Sequence, residues 1–369
     1  MKDLSEKLLT KFNNALQTNS AAVVYHNRNL KPKLINLYNT DKEHYLFGVK
    51  NTAQIPIDLV KKLSQDNKFF LHTIDKMACG GRAVDPDLIN PLTLRVMTGS
   101  SSGGCINILA GINDLAIGTD GGGSVLAPAA STALFAIMAK GLGLKGQQQK
   151  ISTDELKFVP GIGFIAAEYQ ICLAAVKKLL SFPELPELNS NLTIALPQPG
   201  SCTLPDGQDM AELVALAEPN LAKFKLNRID LTGAADRKTA IRIIEAAFAA
   251  GAEIIITAEG PVDYYGYGDS VHGSWQIGKS SQQRSGKYLM RAANLVNATA
   301  LALPTNKLAT ALILIARPGL ESGLKLLSLG LKLQNLFKRP ELFKRYFINQ
   351  QRNEKENFLG ADNFDQYFG

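Results

Sequence analysis

The sequence is poor in residues that form disulfides or bind metals. Only four cysteines occur in 369 residues, and no two of them form a CxxC pair. The four histidines are equally isolated along the chain. Scattered cysteines argue against a disulfide framework, and the lack of His/Cys clusters argues against a zinc site. We therefore expect neither a metal nor another cofactor.

Long apolar runs are also missing. No stretch reaches the roughly 18 uninterrupted apolar residues that a membrane-spanning helix needs. The first residues, MKDLSEKLLTKFNNALQ, have the pattern of a charged amphipathic helix and not that of a signal peptide. These absences predict a cytoplasmic protein without an integral membrane segment.

Nucleic-acid recognition motifs are absent too, although the formal net charge is +7. Much of the excess positive charge lies near the end of the sequence, where LKLQNLFKRPELFKRYFINQQRNEKENF alternates basic and aromatic residues. We interpret residues 337–369 as a basic helical tail. It is either a solvated terminal helix or a docking element for an acidic protein partner or a membrane surface.

Strand-like and helix-like segments alternate in the second half of the sequence. The predicted strands are LTIALPQP, KLNRIDLT, EIIITAEG and ATALILIA, and helical spacing is found in DMAELVALAEPNLAKF and DRKTAIRIIEAAFAAGA. This alternation indicates an α/β fold with a parallel or mixed sheet. SFPELPELNSN, residues 181–191, is the best candidate for a loop inside the domain.

The segment IGTDGGGSVLAPAAS places three glycines directly before Ser124. Glycine can adopt backbone angles that point successive N–H groups at one spot, which suits a developing oxyanion beside a nucleophilic serine. Taken alone, the turn is equally compatible with a phosphate loop or a plain surface turn. It matches neither the GxSxG nucleophile elbow nor the GxxxxGK[ST] phosphate loop.

A second turn rich in serine and glycine lies upstream, in MTGSSSGGCINILAGI. Serine is favoured at helix N-caps, so capping alone would explain it. Two such turns on either side of one helix–strand unit, however, would bring their hydroxyl groups close together.

Together the two turns resemble the amidase signature family. GSSSGG, CINILAGINDLAI, GTDGGGS and APAA stand in the order of that family's signature, and YLFGVKNTAQ places Lys50 at the position of its catalytic lysine. Fainter similarity extends from about Tyr45 to Leu336. The resemblance implies a single α/β domain over residues 1–369, with a large mixed sheet sandwiched between helices.

The resemblance also implies a Ser–cis-Ser–Lys triad. Ser124 matches the nucleophile, Ser101 the bridging serine that a cis peptide holds, and Lys50 the base, which burial should keep neutral. Backbone N–H groups of Gly121, Gly122 and Gly123, together with that of Ser124, would form the oxyanion hole. Asp120 would brace their loop.

The choice of bridging serine is ambiguous, because three serines are consecutive. Anchoring the pattern on Gly103 and Gly104 selects Ser101, whereas counting back from Ser124 by the family's usual interval selects Ser100. We prefer the glycine anchor, since a turn is harder to shift than a helix–strand connection.

Several positions depart from the family pattern: Asn51 replaces an aspartate, Ser100 a glycine, and Leu126 and Ala167 replace arginines. The missing arginine at 126 argues against a substrate that carries a carboxylate. We expect an amidase that cleaves a small-molecule linear amide or ester through a serine acyl-enzyme.

Two alternatives remain: a non-catalytic, amidase-like binding or partner protein, and a glutaminase subunit of a tRNA-dependent amidotransferase. The segment EGPVDYYGYGDSVHGSWQIGK, residues 259–279, is either a substrate-side loop or a plain surface loop.

Overall fold

The computed structural model describes residues 2–17, 20–37, 42–152, 155–182, 184–266 and 276–350. The end of the predicted basic tail, from residue 351, and the middle of the candidate substrate loop, residues 267–275, lie outside the described residues.

The described chain forms strands that we number in sequence order. They are β1 (Val23–His26), β2 (Tyr45–Lys50), β3 (Phe69–Asp75), β4 (Val84–Ile89), β5 (Val96–Thr98), β6 (Leu115–Asp120), β7 (Phe135–Met138), β8 (Lys150–Ile151), β9 (Lys157–Phe158), β10 (Gly161–Ala166), β11 (Thr193–Pro197), β12 (Lys225–Ile229), β13 (Ile254–Glu259), β14 (Thr299–Pro304) and β15 (Ala311–Ala316).

The helices are α1 (Lys2–Gln17), α2 (Lys31–Asn36), α3 (Ile57–Leu63), α4 (Ser102–Leu109), α5 (Leu126–Ser131), α6 (Tyr169–Leu180), α7 (Met210–Ala215), α8 (Glu218–Leu221), α9 (Arg237–Ala249), α10 (Gln276–Gln283), α11 (Leu320–Leu333) and α12 (Glu341–Phe343). A π-helical turn, Lys344–Ile348, follows α12.

Eleven of the described strands form one sheet in the order β1-β3-β2-β6-β10-β7-β14-β15-β13-β11-β12. Parallel pairs join β3, β2 and β6 near one edge and β13, β11 and β12 at the other, and the central pairs are antiparallel. The short pairs β4–β5 and β8–β9 stand apart as two-stranded ribbons.

The central strands are buried along their whole length. Every residue of β6, β10, β13, β14 and β15 is buried. Such runs are expected where helices cover both faces of a sheet. One helical layer contains α6 and α11, which contact each other, and another contains α4 and α5; both layers contact the central strands. The prediction of an α/β fold with a large mixed sheet between helices is confirmed.

The predicted elements of the second half are also confirmed. The four strand predictions correspond to β11, β12, β13 and β15, and the two helical segments to α7–α8 and α9. The described residues between 181 and 191 contain no helix or strand, as predicted for a loop.

Candidate active site

Lys50 is the last residue of β2, and its side chain is only 3% exposed. Its neighbour β6 runs parallel and ends at Asp120, so both strands deliver their carboxyl ends to one edge of the sheet. The Lys50 amine donates to the hydroxyl of Ser100 at 2.7 Å and to the side-chain and backbone oxygens of Thr119 at 3.1 and 3.2 Å. These oxygens fix the position of the amine.

The protonation of Lys50 is set by its surroundings. Burial lowers the pKa of this amine to about 7, the Asp120 carboxylate raises it, and the Lys150 charge lowers it further. Desolvation disfavours the charged form of an amine, and a base is most useful when its pKa lies near the working pH. Lys50 is therefore able to accept a proton near neutral pH.

Of the two candidate bridging serines, Ser100 and not Ser101 makes a hydrogen bond with Lys50. Ser100 accepts the hydrogen bond from Lys50 and follows a cis peptide bond after Gly99. Ser101 precedes α4, and its buried hydroxyl has no hydrogen-bond partner within the described chain. That side chain occupies the space that a Cβ of Gly118 would need. The assignment of Ser101 as the bridging serine therefore stays a prediction, and the contact with Lys50 favours Ser100, the other candidate.

The place where α4 begins explains why the glycine anchor selects a different serine from the one that contacts Lys50. The glycine pair used as an anchor belongs to this helix, whose first residue is Ser102. The Ser102 hydroxyl donates to the buried carboxylate of Asp85 at 2.5 Å. The glycines therefore mark the helix, and the turn that meets Lys50 begins two residues before it.

Asp120 holds the glycine turn by backbone hydrogen bonds. One carboxylate oxygen accepts the N–H groups of Gly122 and Gly123 at 3.0 and 2.7 Å, and the other accepts those of Val125 and Leu126 at 2.7 and 3.4 Å. Burial raises the pKa of Asp120, and these hydrogen bonds and Lys50 oppose the shift. The Asp120 carboxylate therefore links the N–H groups of the glycine turn to those at the start of α5.

These bonds change the set of N–H groups that could face a substrate. The N–H groups of Gly122 and Gly123 point to Asp120, whereas those of Gly121 and Ser124 make no hydrogen bond with the described residues. The N–H groups of two of the three glycines expected in the oxyanion hole are therefore already hydrogen-bonded to Asp120.

Ser124 is half-buried at the end of this turn. Its backbone carbonyl accepts the N–H of Ser101 at 3.2 Å, so the two serine turns are hydrogen-bonded to each other. Its hydroxyl makes no hydrogen bond with the part of the chain that the structure describes. The nucleophile position and the Lys50–Ser100 pair are thus neighbouring, and the Ser124 hydroxyl is not yet engaged.

Two departures from the family pattern have a visible structural consequence. Leu126 is fully buried at the start of α5. The carbonyls of Ala167 and Ala133 accept hydrogen bonds from Arg339 at 2.8 and 3.1 Å. The guanidinium also lies 5.2 Å from the ring centre of Phe135. The described part of the basic tail therefore packs on its own chain.

Sequence reasoning missed three side chains beside the turn. Thr119, which positions Lys50, lies inside the same motif and could have been found there. Phe158 covers Gly121, and Arg237 lies against Gly122. Neither residue belongs to a recognisable motif, and both are remote from Ser124 in sequence.

Among the described residues there is neither a metal-binding cluster nor a membrane-spanning helix. The described ranges contain no group of three His, Cys, Asp or Glu side chains that could hold a metal ion. None of the helices described has the length and apolar character required to cross a membrane.

Comparison with known proteins points to the same family as the motifs. Residues 87–157, which include both serine turns, match the family model named Amidase. No protein with a curated function is significantly similar to the chain.

Several solved structures share the fold. A crystal structure of an amidase has a TM-score of 0.59 at 15% identity, over 91% of this chain and 96% of that one. A 6-aminohexanoate cyclic dimer hydrolase complexed with substrate has a TM-score of 0.60 at 14% identity, over 92% and 96%. A selenomethionine-substituted allophanate hydrolase from Kluyveromyces lactis has a TM-score of 0.57 at 16% identity, over 93% and 70%.

These solved structures therefore show the fold of the chain, and the family match is confined to its signature segment. The chain thus has the fold of the amidase structures, and its signature segment, residues 87–157, matches the Amidase family model, in agreement with the resemblance seen in the motifs.

Proposed function

We propose that this protein hydrolyses a small amide through an acyl-enzyme on Ser124, with Ser100 as the bridging hydroxyl and Lys50 as the base. One observation carries the proposal: the buried Lys50 amine, with a pKa lowered to about 7, donates to Ser100 at 2.7 Å.

In the acylation step, the Ser124 oxygen forms a bond to the amide carbon. Its proton passes to the Ser100 oxygen, and the Ser100 proton passes to Lys50. The negative oxygen of the tetrahedral intermediate would be held by the N–H groups of Gly121 and Ser124, the two that Asp120 leaves available. Backbone donors of this kind typically contribute about 3–4 kcal/mol each to transition-state stabilisation.

In the second step, the carbon–nitrogen bond breaks and the leaving amine takes the proton back from Lys50 through Ser100. Water then attacks the acyl-enzyme, with the same relay accepting its proton, and the acid and free Ser124 are released. The open hydroxyl of Ser124 does not argue against this route, because catalytic hydrogen bonds are often long in the absence of substrate.

The test is covalent labelling of the purified protein with a fluorophosphonate probe, followed by intact mass and peptide mapping. We expect one adduct, on Ser124, that is lost in Ser124→Ala and strongly reduced in Lys50→Ala. A folded protein that gives no adduct would instead support the non-catalytic binding protein.

A further inference from the structure

Two buried carboxylates lie beside the candidate site and take no part in the proposed reaction. Glu259 is the last residue of β13, and Asp263 lies in the loop that follows this strand. Both side chains are buried, at 0% and 2% exposure. Burying a charge is costly unless hydrogen bonds or ion pairs compensate for the lost solvation. The partners of the two carboxylates therefore show which parts of the chain they hold in place.

Glu259 holds the backbone of residues 288–290. One carboxylate oxygen accepts the N–H of Tyr288 at 2.6 Å. The other accepts the N–H of Met290 and the hydroxyl of Thr257, each at 3.0 Å. Burial raises the pKa of Glu259 to about 7, and these donors oppose the shift because they favour the charged form. A single side chain thus fixes the path of this short stretch of chain.

The stretch that Glu259 holds packs against the glycine turn. A Cβ atom on Gly123 would stand 3.6 Å from the carbonyl oxygen of Met290, and one on Gly122 would stand 3.5 Å from that of Arg291. These are ordinary van der Waals distances for a methyl group. Residues 290–291 therefore lie within about one methyl group of the turn, and a shift of one backbone is felt by the other.

Asp263 links the same stretch to the turn that contains Ser100. Its carboxylate forms an ion pair with Lys287 at 2.7 Å, and both side chains are buried. It also accepts a hydrogen bond from the Thr98 hydroxyl at 2.9 Å. Thr98 ends β5, two positions before Ser100. Because the residue after Lys287 is held by Glu259, the two carboxylates act on one continuous piece of chain.

We propose that residues 287–291, which we call the connecting segment, position the two serine turns relative to each other. Glu259 and Asp263 are the positioning residues: Glu259 acts on the glycine turn, and Asp263 acts on the turn that contains Ser100. The inference rests on the proposed hydrolase, because the distance that is fixed separates Ser124 from Ser100. A misplacement of about 1 Å in such a relay can cost about 100-fold in rate.

The first experiment measures the link between connecting segment and glycine turn without turnover. Hydrogen–deuterium exchange is followed by mass spectrometry in peptides that cover residues 116–126 and 285–293. In Glu259→Gln, the amide keeps one acceptor oxygen and turns an NH₂ group towards backbone N–H groups. We expect exchange to become at least about three-fold faster in both peptides, because both backbones lose support. Faster exchange confined to residues 285–293 would overturn the inference.

The matched control is Glu253→Gln, at the other end of β13, where the carboxylate forms an ion pair with Lys325 at 2.7 Å. This change removes a charge from a residue next to the same strand and should leave the exchange of residues 116–126 unchanged. Equal effects of the Glu253 and Glu259 variants on that peptide would overturn the role of Glu259.

The second experiment measures the rate constant of fluorophosphonate labelling at Ser124. It is performed at about pH 8.5, where Lys50 and Glu259 are both deprotonated. This rate constant does not depend on how much of the protein is folded, so a loss of stability alone leaves it unchanged. We expect Glu259→Gln to lower it at least about ten-fold. A less stable protein with the wild-type rate constant would reduce Glu259 to a structural residue and overturn the inference.

Thr98→Val tests the second attachment with a milder change. Valine has nearly the shape of threonine but lacks the hydroxyl, and the ion pair between Asp263 and Lys287 stays in place. We expect the labelling rate constant to fall about ten-fold in Thr98→Val and to recover in Thr98→Ser, which keeps the donor. The control is Tyr169→Phe, which removes a buried hydroxyl that donates to Leu327 at 2.9 Å between α6 and α11. Equal rate constants in Thr98→Val and Tyr169→Phe would overturn the role of Asp263.

The two proposals fail in different ways. A folded wild-type protein without an adduct on Ser124 would reject the hydrolase, and the exchange experiment alone would then decide whether the connecting segment holds the glycine turn. An adduct on Ser124 whose rate constant is the same in wild type, Glu259→Gln and Thr98→Val would keep the hydrolase and reject the connecting segment.

Discussion

Gly118 on β6 and Gly163 on β10 stand opposite each other in the antiparallel ladder, and the side chain of Val125 occupies the space beside both. Ser101 shares the space over Gly118. The two serine turns therefore sit directly on the sheet because these strand positions have no side chain. The packing of the strands thus determines how closely Ser124 approaches Lys50.

This packing predicts the effect of Gly163→Ala. The new methyl group would lie 2.6 Å from one methyl of Val125, so the turn must move. We expect a loss of about 1–3 kcal/mol in the free energy of unfolding and a lower kcat. Val125→Ala in the same chain removes both clashing methyl groups and should restore much of the activity. Urea unfolding and kinetics of the single and double variants measure the coupling between positions 163 and 125. Strictly additive effects of the two changes would contradict a clash between the new methyl group and Val125.

Replacement of individual serines separates the bridging hydroxyl from its neighbour. Ser100→Ala removes the acceptor of the Lys50 hydrogen bond and should lower kcat by at least about 100-fold. Ser101→Ala removes a hydroxyl without a partner among the described residues and should leave kcat close to that of the wild type. Steady-state kinetics of both variants decide between the two serines. A larger loss of kcat in Ser101→Ala would show that Ser101 is the bridging serine, as the glycine anchor predicts.

The lowered pKa of Lys50 predicts the pH dependence of activity. The relay needs the neutral amine, so kcat/KM should rise with pH in proportion to the neutral fraction and level off above a pKa of about 7. Lys150→Gln removes a positive neighbour, which should raise the pKa of Lys50 and move this limb to higher pH. Lys225→Gln, on the exposed strand β12 at the far edge of the sheet, serves as the control. An unchanged limb in Lys150→Gln would contradict the influence of the Lys150 charge on Lys50.

Asp120→Asn tests the support of the glycine turn. The amide retains one acceptor oxygen and turns N–H donors towards backbone N–H groups, so part of the turn loses its partners. We expect kcat to fall by about 100-fold, as when an oxyanion hole is damaged, and the free energy of unfolding to fall by about 1–3 kcal/mol. Asp230→Asn, in an exposed loop where it accepts from Thr232, should change neither quantity. Wild-type kinetics in Asp120→Asn would exclude a bracing role.

Arg339→Ala tests whether the tail belongs to the folded domain. The change removes two hydrogen bonds to the carbonyls of Ala133 and Ala167. Because these donors are charged, the free energy of unfolding should fall by about 1.5–3 kcal/mol. The exposed Arg345 provides the matched control, Arg345→Ala. Equal stability of the two variants in urea unfolding would mean that the Arg339 hydrogen bonds do not anchor the tail to the domain.

Much of the fold could be predicted from apolar runs of strand length and the helices between them. These runs correctly located β11, β12, β13 and β15. The strand order could not be predicted, because pairings such as β7 with β14 join distant parts of the sequence. Residues remote in sequence leave no periodic signal of their contact.

The motifs allowed residues of the candidate site to be predicted, but they did not allow the contacts of these residues to be predicted. The motifs led to Lys50, Asp120 and Ser124, which the structure brings to one edge of the sheet. They could not show that Asp120 uses the N–H groups of Gly122 and Gly123. Which way a backbone N–H points depends on local dihedral angles, and sequence letters specify these only loosely.

The contact of Arg339 with the start of β7 and the end of β10 has a consequence for biosynthesis. Residues 133 and 167 leave the ribosome long before residue 339, since synthesis proceeds from the N-terminus. Until then, these two carbonyls lack the guanidinium that Arg339 later supplies. The contact on this side of the sheet therefore forms late in the synthesis of the chain. A fragment that stops before residue 339 cannot form it.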